Sequence, residues 1–151
     1  MARSEDIRDL TGQEMLQAII DGRLPQAPIA QGLRFRLVEV REGFAAFEGE
    51  PSEHLRNPLG TVHGGWALTL IDSAAGCAAH SLLPAGVAYT TLETKANFSR
   101  PILAETGTVR AEGTVLTRGR RIVTAEARVL GPDARILAHG TSTLLILGTS
   151  Q

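Results

Sequence analysis

The pattern of apolar and polar residues predicts a short helix near the start of the chain and a long helix in its middle. The short helix is expected over 12–20, because Thr11 and Glu14 form a capping-box pattern ahead of an apolar face. That face consists of Met15, Leu16, Ile19 and Ile20. The long helix is expected over 64–82, where small and apolar residues continue until Pro84 ends the run.

Segments typical of strands flank the long helix on both sides. Before it, 33–40 and 44–50 form a predicted hairpin around 41–43, and a loop covers 51–62. After it, Val, Ile and Thr alternate with polar residues in four further segments. These segments cover 87–98, 106–116, 121–130 and 136–147.

The breaks between the later strands have the composition of hairpin turns. They lie at 101–105, 118–120 and 131–133. The four later strands are therefore predicted to form an antiparallel meander. Two strands, one long helix and four strands predict an α+β fold, in which a single antiparallel β-sheet wraps the helix.

Composition narrows the class of protein. The chain has 151 residues, of which 43% are hydrophobic, enough for one domain with its own core. It carries 15 basic and 16 acidic residues without runs of one sign, so the formal net charge is -1. This balance argues against nucleic acid or an anionic membrane as a partner. The N-terminus is charged and no apolar run is long enough to span a membrane, so we expect a cytoplasmic protein.

The sequence contains few motifs typical of metal sites or of cysteine and serine nucleophiles. Cys77 is the single cysteine, which excludes an intrachain disulfide and a cysteine-rich metal site, and its helical setting favours a small core residue. The four histidines are scattered and form no ligand set, so no metal is expected. The Gly-x-Ser-x-Gly motif of Ser-His-Asp hydrolases does not occur.

The stretch from Asn57 to Asp72 combines a His-Gly-Gly turn with a carboxylate in an apolar helix. The free N–H groups at a helix start can face a ligand carbonyl, and Gly64 and Gly65 leave room for it. Asp72 stands among apolar residues, and a carboxylate is rarely taken out of water without a partner. Asp72 is therefore a candidate general base or nucleophile, with pairing to a basic residue as the structural alternative.

These residues resemble the motif of the hotdog-fold acyl-CoA thioesterases, particularly the phenylacetate-pathway (PaaI-like) branch, over about 30–147. The matching pattern is Asn57, His63-Gly64-Gly65 and, nine positions after the histidine, Asp72. The later Asn97-Phe98-Ser99-Arg100-Pro101 resembles the strand end that follows in this branch. The resemblance implies a hotdog fold, with an antiparallel sheet around a long central helix. Together with the even composition, this predicts a single domain over 1–151, in which about 1–30 form an N-terminal helical extension ahead of the matching region.

The resemblance assigns roles to individual residues. The backbone N–H of Gly64 would polarise the thioester carbonyl, and Asp72, acting from the partner subunit, would activate a water or attack as a nucleophile. Asn57 would orient the water or the thioester, with ordinary turn formation as its alternative role. His63 would support the loop by hydrogen bonding. Thr91 would assist water binding, or serve only as a strand residue.

Several further residues are candidates for holding the substrate. Gly65 and Asn97 belong to the matching motifs. Arginines near strand ends and turns could bind the phosphates of CoA, although solvated turn arginines are the commoner case. These arginines are Arg100, Arg118, Arg120 and Arg121.

We therefore expect an enzyme that hydrolyses an acyl-CoA thioester without a cofactor, since CoA enters as part of the substrate. An aromatic, phenylacetyl-type acyl group is favoured over a medium-length aliphatic one by the resemblance alone. The alternatives are a non-catalytic acyl-CoA-binding module and a hydratase or dehydratase on the same fold. Because the family's sites lie between subunits, we expect a homo-oligomer, at least a dimer and by resemblance a tetramer of two dimers.

Overall fold

A long helix packs against a six-stranded antiparallel sheet in the computed structural model, which describes residues 6–149. The helices are α1 (Gly12–Ile20), α2 (Pro28–Gly32) and α3 (Gly64–His80), with 3-10 turns at Ile7–Asp9 and Glu53–Leu55. The strands are β1 (Phe35–Arg41), β2 (Phe44–Gly49), β3 (Val87–Phe98), β4 (Val109–Arg118), β5 (Ile122–Leu130) and β6 (Ile136–Thr149). The predicted α+β arrangement is confirmed, and the predicted bounds differ from these by a few residues. No helix in the described residues has the length and apolar character needed to cross a membrane.

The order of the strands differs from the predicted meander. The sheet runs β1-β2-β4-β5-β6-β3, so β3 pairs with β6 at one edge, and only β4, β5 and β6 form a meander. The prediction of a hairpin turn at 101–105 is therefore wrong, because this segment belongs to a connection from the edge to the middle of the sheet. Ile102 is buried there, and its carbonyl accepts the Val62 N–H at 2.8 Å. Packing against the loop before α3 sets this path, which local turn composition does not encode.

Small residues let α3 approach the sheet closely. Ala45, Gly113 and Ala127 pair side by side in three neighbouring strands. A Cβ on Gly113 would collide with the Ala74 carbonyl of α3. The alanines of α3 that are buried in the core are Ala67, Ala74, Ala75, Ala78 and Ala79. The small residues on both sides thus allow the helix and the sheet to pack closely.

The N-terminal segment is fixed to the sheet. The predicted capping box is present, with Thr11 and Glu14 each bonding the backbone N–H of the other. The sequence did not predict α2, which spans five residues and has a proline in its first turn. Between the two helices, both ends of the Gln26 amide bond to the backbone of Leu37 in β1. This segment therefore forms one wall of the core.

β3 leaves a long edge of the sheet open. Its twelve residues pair with β6 on one side, and no strand of residues 6–149 covers the other side. An uncovered edge presents backbone N–H and C=O groups that another chain can pair with.

Candidate active site

The start of α3 is shaped by the His-Gly-Gly sequence. His63 is the N-cap, and its Nδ1 accepts a hydrogen bond from the Gly65 N–H at 2.8 Å. This bond satisfies one of the free donors of the helix and leaves the imidazole proton on Nε2. The His63 N–H donates to the Leu55 carbonyl at 2.7 Å. His63 therefore holds the helix start to the preceding loop.

Gly64 is the first residue of α3, and its N–H has no acceptor among residues 6–149. The first N–H groups of a helix lack intrahelical partners and carry a partial positive charge. The ring of Phe98 lies against Gly64, since a Cβ there would be 3.2 Å from a ring carbon. An unpaired donor and an apolar ring thus meet at the helix start, an arrangement that can hold the oxygen of a carbonyl group.

A cavity of about 300 Å³ opens at this helix start. Among its lining residues are Asn57, His63, Gly64, Phe98, Arg100 and Leu137. The sequence named four of these as site residues, namely Asn57, His63, Gly64 and Arg100. The structure therefore brings the first part of the motif and the end of β3 together around one space.

The Asn57 side chain forms hydrogen bonds within its own loop. Its Nδ2 donates to Thr61 Oγ1 at 2.8 Å, and its Oδ1 accepts the Leu59 N–H at 2.9 Å. The Asn57 N–H also donates to the Thr61 carbonyl at 2.8 Å. The amide thus performs the turn-forming role that the sequence left as an alternative. Because Oδ1 has a second lone pair, a role in orienting the substrate stays a prediction.

Asp72 lies half-buried on α3, next to β3. Its Oδ1 accepts hydrogen bonds from the hydroxyls of Thr91 and Thr94, each at 3.0 Å. No hydrogen bond from residues 6–149 reaches Oδ2, and no basic side chain in that range forms an ion pair with Asp72. The alternative of pairing to a basic residue is thus not found in the described chain. One carboxylate oxygen is fixed, and the other is available to a water or a substrate atom.

The sequence missed Thr94 because its position depends on an irregularity in β3. In a regular strand, Thr91 and Thr94 would point to opposite faces, but the register with β6 shifts between Thr91 and Glu93 and lets both reach Asp72. Behind them, Ser142 is 2% exposed, with its Oγ 3.0 Å from Thr94 Oγ1. Two half-buried threonine hydroxyls, with buried Ser142 behind them, therefore position the carboxylate, and no local sequence signal marks the bulge that brings them together.

Gly64 and Asp72 do not share a cavity within one chain. Asp72 is eight positions after Gly64 on α3, which at about 1.5 Å per residue is about 12 Å along the helix. Asp72 instead lines a second cavity, of about 210 Å³, beside α1 and α2. A carbonyl bound at Gly64 is therefore beyond hydrogen-bond reach of the Asp72 carboxylate of the same chain.

Asn97 and the arginines of the β4–β5 turn lie outside the cavity at Gly64. Asn97 lines a polar groove with Lys95 and Glu112. The turn contains Arg118, Arg120 and Arg121, which are all exposed. The Arg121 carbonyl accepts the Ile146 N–H at 2.7 Å, and Ile146 pairs with Tyr89 near the start of β3. Since Gly64 contacts Phe98 at the other end of β3, about 30 Å of strand separates this turn from the cavity.

The structure also bears on two chemistries that the sequence disfavoured. Cys77 lines the Asp72 cavity, and burial, reinforced by the negative charge of Asp72, raises the pKa of its thiol to about 12. Since the thiolate is the reactive form, Cys77 is a poor nucleophile at neutral pH. Within residues 6–149, no three His, Cys, Asp or Glu side chains gather as metal ligands would. That no metal binds stays a prediction.

Comparison with known proteins identifies the family. Residues 59–138 match the model of the thioesterase superfamily. A protein of Saccharolobus solfataricus named as an esterase is 28% identical over 117 residues, which cover 78% of this chain and 81% of that protein.

Solved structures share the fold. A thioesterase family protein from Silicibacter pomeroyi has a TM-score of 0.77 and 28% identity, covering 87% of this chain and 98% of that chain. The PaaI protein of the E. coli phenylacetic acid degradation operon has a TM-score of 0.78, with 89% of this chain and 95% of that chain covered. At 20% identity, this second likeness shows the shared fold alone. The hotdog fold implied by the motif is confirmed, and the chain belongs to the thioesterase superfamily.

Proposed function

We propose that the protein is an acyl-CoA thioesterase, which uses water to cleave an acyl-CoA into a free acid and CoA. The observation that carries the proposal is the Asp72 carboxylate. It is half-buried, two threonine hydroxyls hold Oδ1, and no cation in residues 6–149 neutralises it. A carboxylate in this state can accept a proton from a water molecule. The match to the thioesterase superfamily supports a thioester as the group attacked.

In this proposal, the thioester carbonyl binds at the start of α3. The Gly64 N–H donates to the carbonyl oxygen, which gains negative charge as the water attacks. A fixed donor of this kind contributes about 3 kcal/mol to transition-state stabilisation in other enzymes. The unpaired state of this N–H in residues 6–149 and the cavity in front of it support this role.

Asp72 acts as the general base. Its Oδ2 accepts a proton from water while the water oxygen bonds to the carbonyl carbon, which gives a tetrahedral intermediate. The C–S bond then breaks, the proton passes from Asp72 to the departing sulfur, and the free acid remains. Direct attack by Asp72 to form a mixed anhydride is the alternative route. The general-base route is the one proposed, because the free Oδ2 can meet a water molecule.

The two catalytic groups meet only if two chains share a site. We propose a homodimer in which the open β3 edges of two chains pair antiparallel around a two-fold axis. The Tyr89 end of one β3 then lies beside the Phe98 end of the other. Asp72, which bonds to β3 between these ends, thereby approaches Gly64 of the partner chain. A tetramer of two such dimers is expected from the family resemblance.

The same pairing accounts for the scattered arginines. Arg100 lies at the Phe98 end of its own β3, and the turn with Arg118, Arg120 and Arg121 lies at the Tyr89 end. Antiparallel pairing brings Arg100 of one chain and the turn of the other to the same end of the joined sheet. The phosphates of CoA would bind there.

The proposal is tested by measuring acyl-CoA hydrolysis by the Asp72→Asn variant. The amide keeps the shape of the carboxylate but cannot act as the base, so we expect at least a hundredfold loss of kcat. Release of CoA thiol from phenylacetyl-CoA and hexanoyl-CoA is the measurement. The matched control is Asp9→Asn, an exposed aspartate outside both cavities, which should retain wild-type turnover.

Two outcomes would contradict the proposal in different ways. Wild-type turnover by Asp72→Asn would remove Asp72 from the mechanism. Tight binding of acyl-CoA without turnover by either protein would instead establish the non-catalytic binding module.

A further inference from the structure

The sheet has two edges, and they differ in what lies beside them. β3 forms one edge, with twelve residues, and β1 forms the other, with seven. A chain with two open edges can add copies at both of them and grow without limit, whereas a chain with one open edge is complete once two copies have paired. The state of the β1 edge therefore decides whether assembly through the sheet stops at a closed unit.

Leu37 is a residue at which the β1 edge could pair with another strand. In an antiparallel pair, residues that turn their backbone N–H and C=O groups toward the neighbouring strand alternate with residues that turn them away. Leu37 stands opposite Phe47 of β2, yet both of its backbone groups bond to Gln26 instead. These groups thus face away from β2, on the side where the strand of another chain would dock.

The side chain of Gln26 bonds to these two groups as a neighbouring strand would. Its Oε1 accepts the Leu37 N–H at 2.9 Å, and its Nε2 donates to the Leu37 carbonyl at 3.2 Å. A side-chain amide offers both a donor and an acceptor, as a backbone peptide unit does. Both groups of Leu37 are therefore satisfied without a second chain.

The segment that carries Gln26 covers this edge without creating a new one. Pro25 and Pro28, which stand on either side of Gln26, have no N–H and cannot donate to a further strand. The Gln26 carbonyl is itself occupied, because it accepts a hydrogen bond from Gln31 Nε2 at 3.2 Å. The segment is thus a poor template for the strand of another chain.

We propose that the Gln26 amide keeps the β1 edge from pairing with a second copy of the chain, and so confines assembly through the sheet to β3. The inference concerns assembly and does not depend on the proposed thioesterase activity. Without the amide, Leu37 presents an unpaired donor and an unpaired acceptor on an edge strand. The β1 edges of two copies then pair about a two-fold axis, which joins closed assemblies into larger ones.

Gln26→Leu tests the inference, because leucine is similar in size and has no polar group. Light scattering after size-exclusion chromatography, at increasing protein concentration and without substrate, measures the molar mass. We expect the mass of Gln26→Leu to rise to about twice the wild-type value or more, since pairing about a two-fold axis joins two assemblies. Far-UV circular dichroism should show the wild-type spectrum.

Gln26→Lys separates assembly from stability. Its ammonium group can donate to the Leu37 carbonyl but cannot accept from the Leu37 N–H, so this variant also loses a hydrogen bond. A lysine charge at the edge of a sheet disfavours docking of a second strand. Gln26→Lys should therefore keep the wild-type mass at every concentration.

The matched control is Gln17→Leu, which makes the same substitution at an exposed position of α1. The Gln17 amide donates to Asp21, so the control also removes a side-chain hydrogen bond, but one that does not involve an edge strand. Its mass should equal that of the wild type.

Three outcomes would overturn the inference. The first is a wild-type mass for Gln26→Leu at all concentrations, and the second is equal growth of Gln26→Leu and Gln26→Lys. The third is growth of Gln26→Leu together with loss of the native circular dichroism spectrum, because Gln26 would then only stabilise the fold.

Discussion

The two oxygens of the Asp72 carboxylate are in different states. Oδ1 accepts both threonine hydroxyls, whereas no donor in residues 6–149 reaches Oδ2. Hydrogen bonds to a charged group contribute more than those between neutral groups, so the two hydroxyls fix the orientation of the side chain. The free oxygen is therefore held in one direction, which is what a base needs in order to meet a water molecule at a defined place.

Removing these hydroxyls tests whether orientation matters. Thr91→Val and Thr94→Val keep the shape of each side chain and delete the donor, so each should lower kcat by about tenfold with a small change in KM. Steady-state kinetics with phenylacetyl-CoA is the measurement. Thr90→Val on the same strand is the control, because its exposed side chain does not contact Asp72. Unchanged kcat in the Thr91 and Thr94 variants would show that the carboxylate needs no such support.

Most elements of the fold could be predicted because their signals are local. The capping-box pattern predicted α1, and the motif from Asn57 to Asp72 predicted both the start of α3 and its carboxylate. The neighbour of β3 could not be predicted in this way, since its pairing with β6 depends on residues distant in sequence. The same limit applies to Thr94, which reaches Asp72 because of a bulge in β3 that local alternation does not reveal.

Contact between α3 and the sheet depends on Gly113, and a substitution there tests it. In Gly113→Ala the added Cβ would overlap the backbone of α3 at Ala74, so the free energy of unfolding should fall by about 1–3 kcal/mol or more. Urea unfolding followed by circular dichroism is the measurement. Gly148→Ala is the control, since a Cβ at Gly148 would meet no atom within 4 Å. Equal stability of the two variants would mean that the helix can move away from the sheet at little cost.

At the scale of the whole molecule, a complete site forms only in the proposed dimer, where Gly64 and Asp72 come from different chains. Gly64→Pro removes the N–H proposed to polarise the carbonyl. Proline suits the first helical position, and its Cβ, 3.2 Å from a carbon of the Phe98 ring, requires only a small shift of that side chain. On its own this variant should lose about a hundredfold or more in kcat. The site is then defective at Gly64 in one variant and at Asp72 in the other.

Co-expression of Gly64→Pro with Asp72→Asn shows whether sites are shared between chains. A mixed dimer has one site with both native groups and one site with neither. Mixed dimers should therefore show about half of wild-type turnover, although each variant alone is nearly inactive. Thiol release from dimers purified through two different tags is the measurement. Turnover no higher than the sum of the two variants would place the whole site within one chain.

The distance of about 12 Å between Gly64 and Asp72 along α3 also has a genetic consequence. In the proposed dimer, each chain gives its Gly64 to one site and its Asp72 to the other. An allele that carries both substitutions would therefore be dominant negative, because it silences both sites of every dimer that it enters with a wild-type chain. An allele with either single substitution would leave one working site in each mixed dimer. Total activity would then fall only in proportion to the share of wild-type chains.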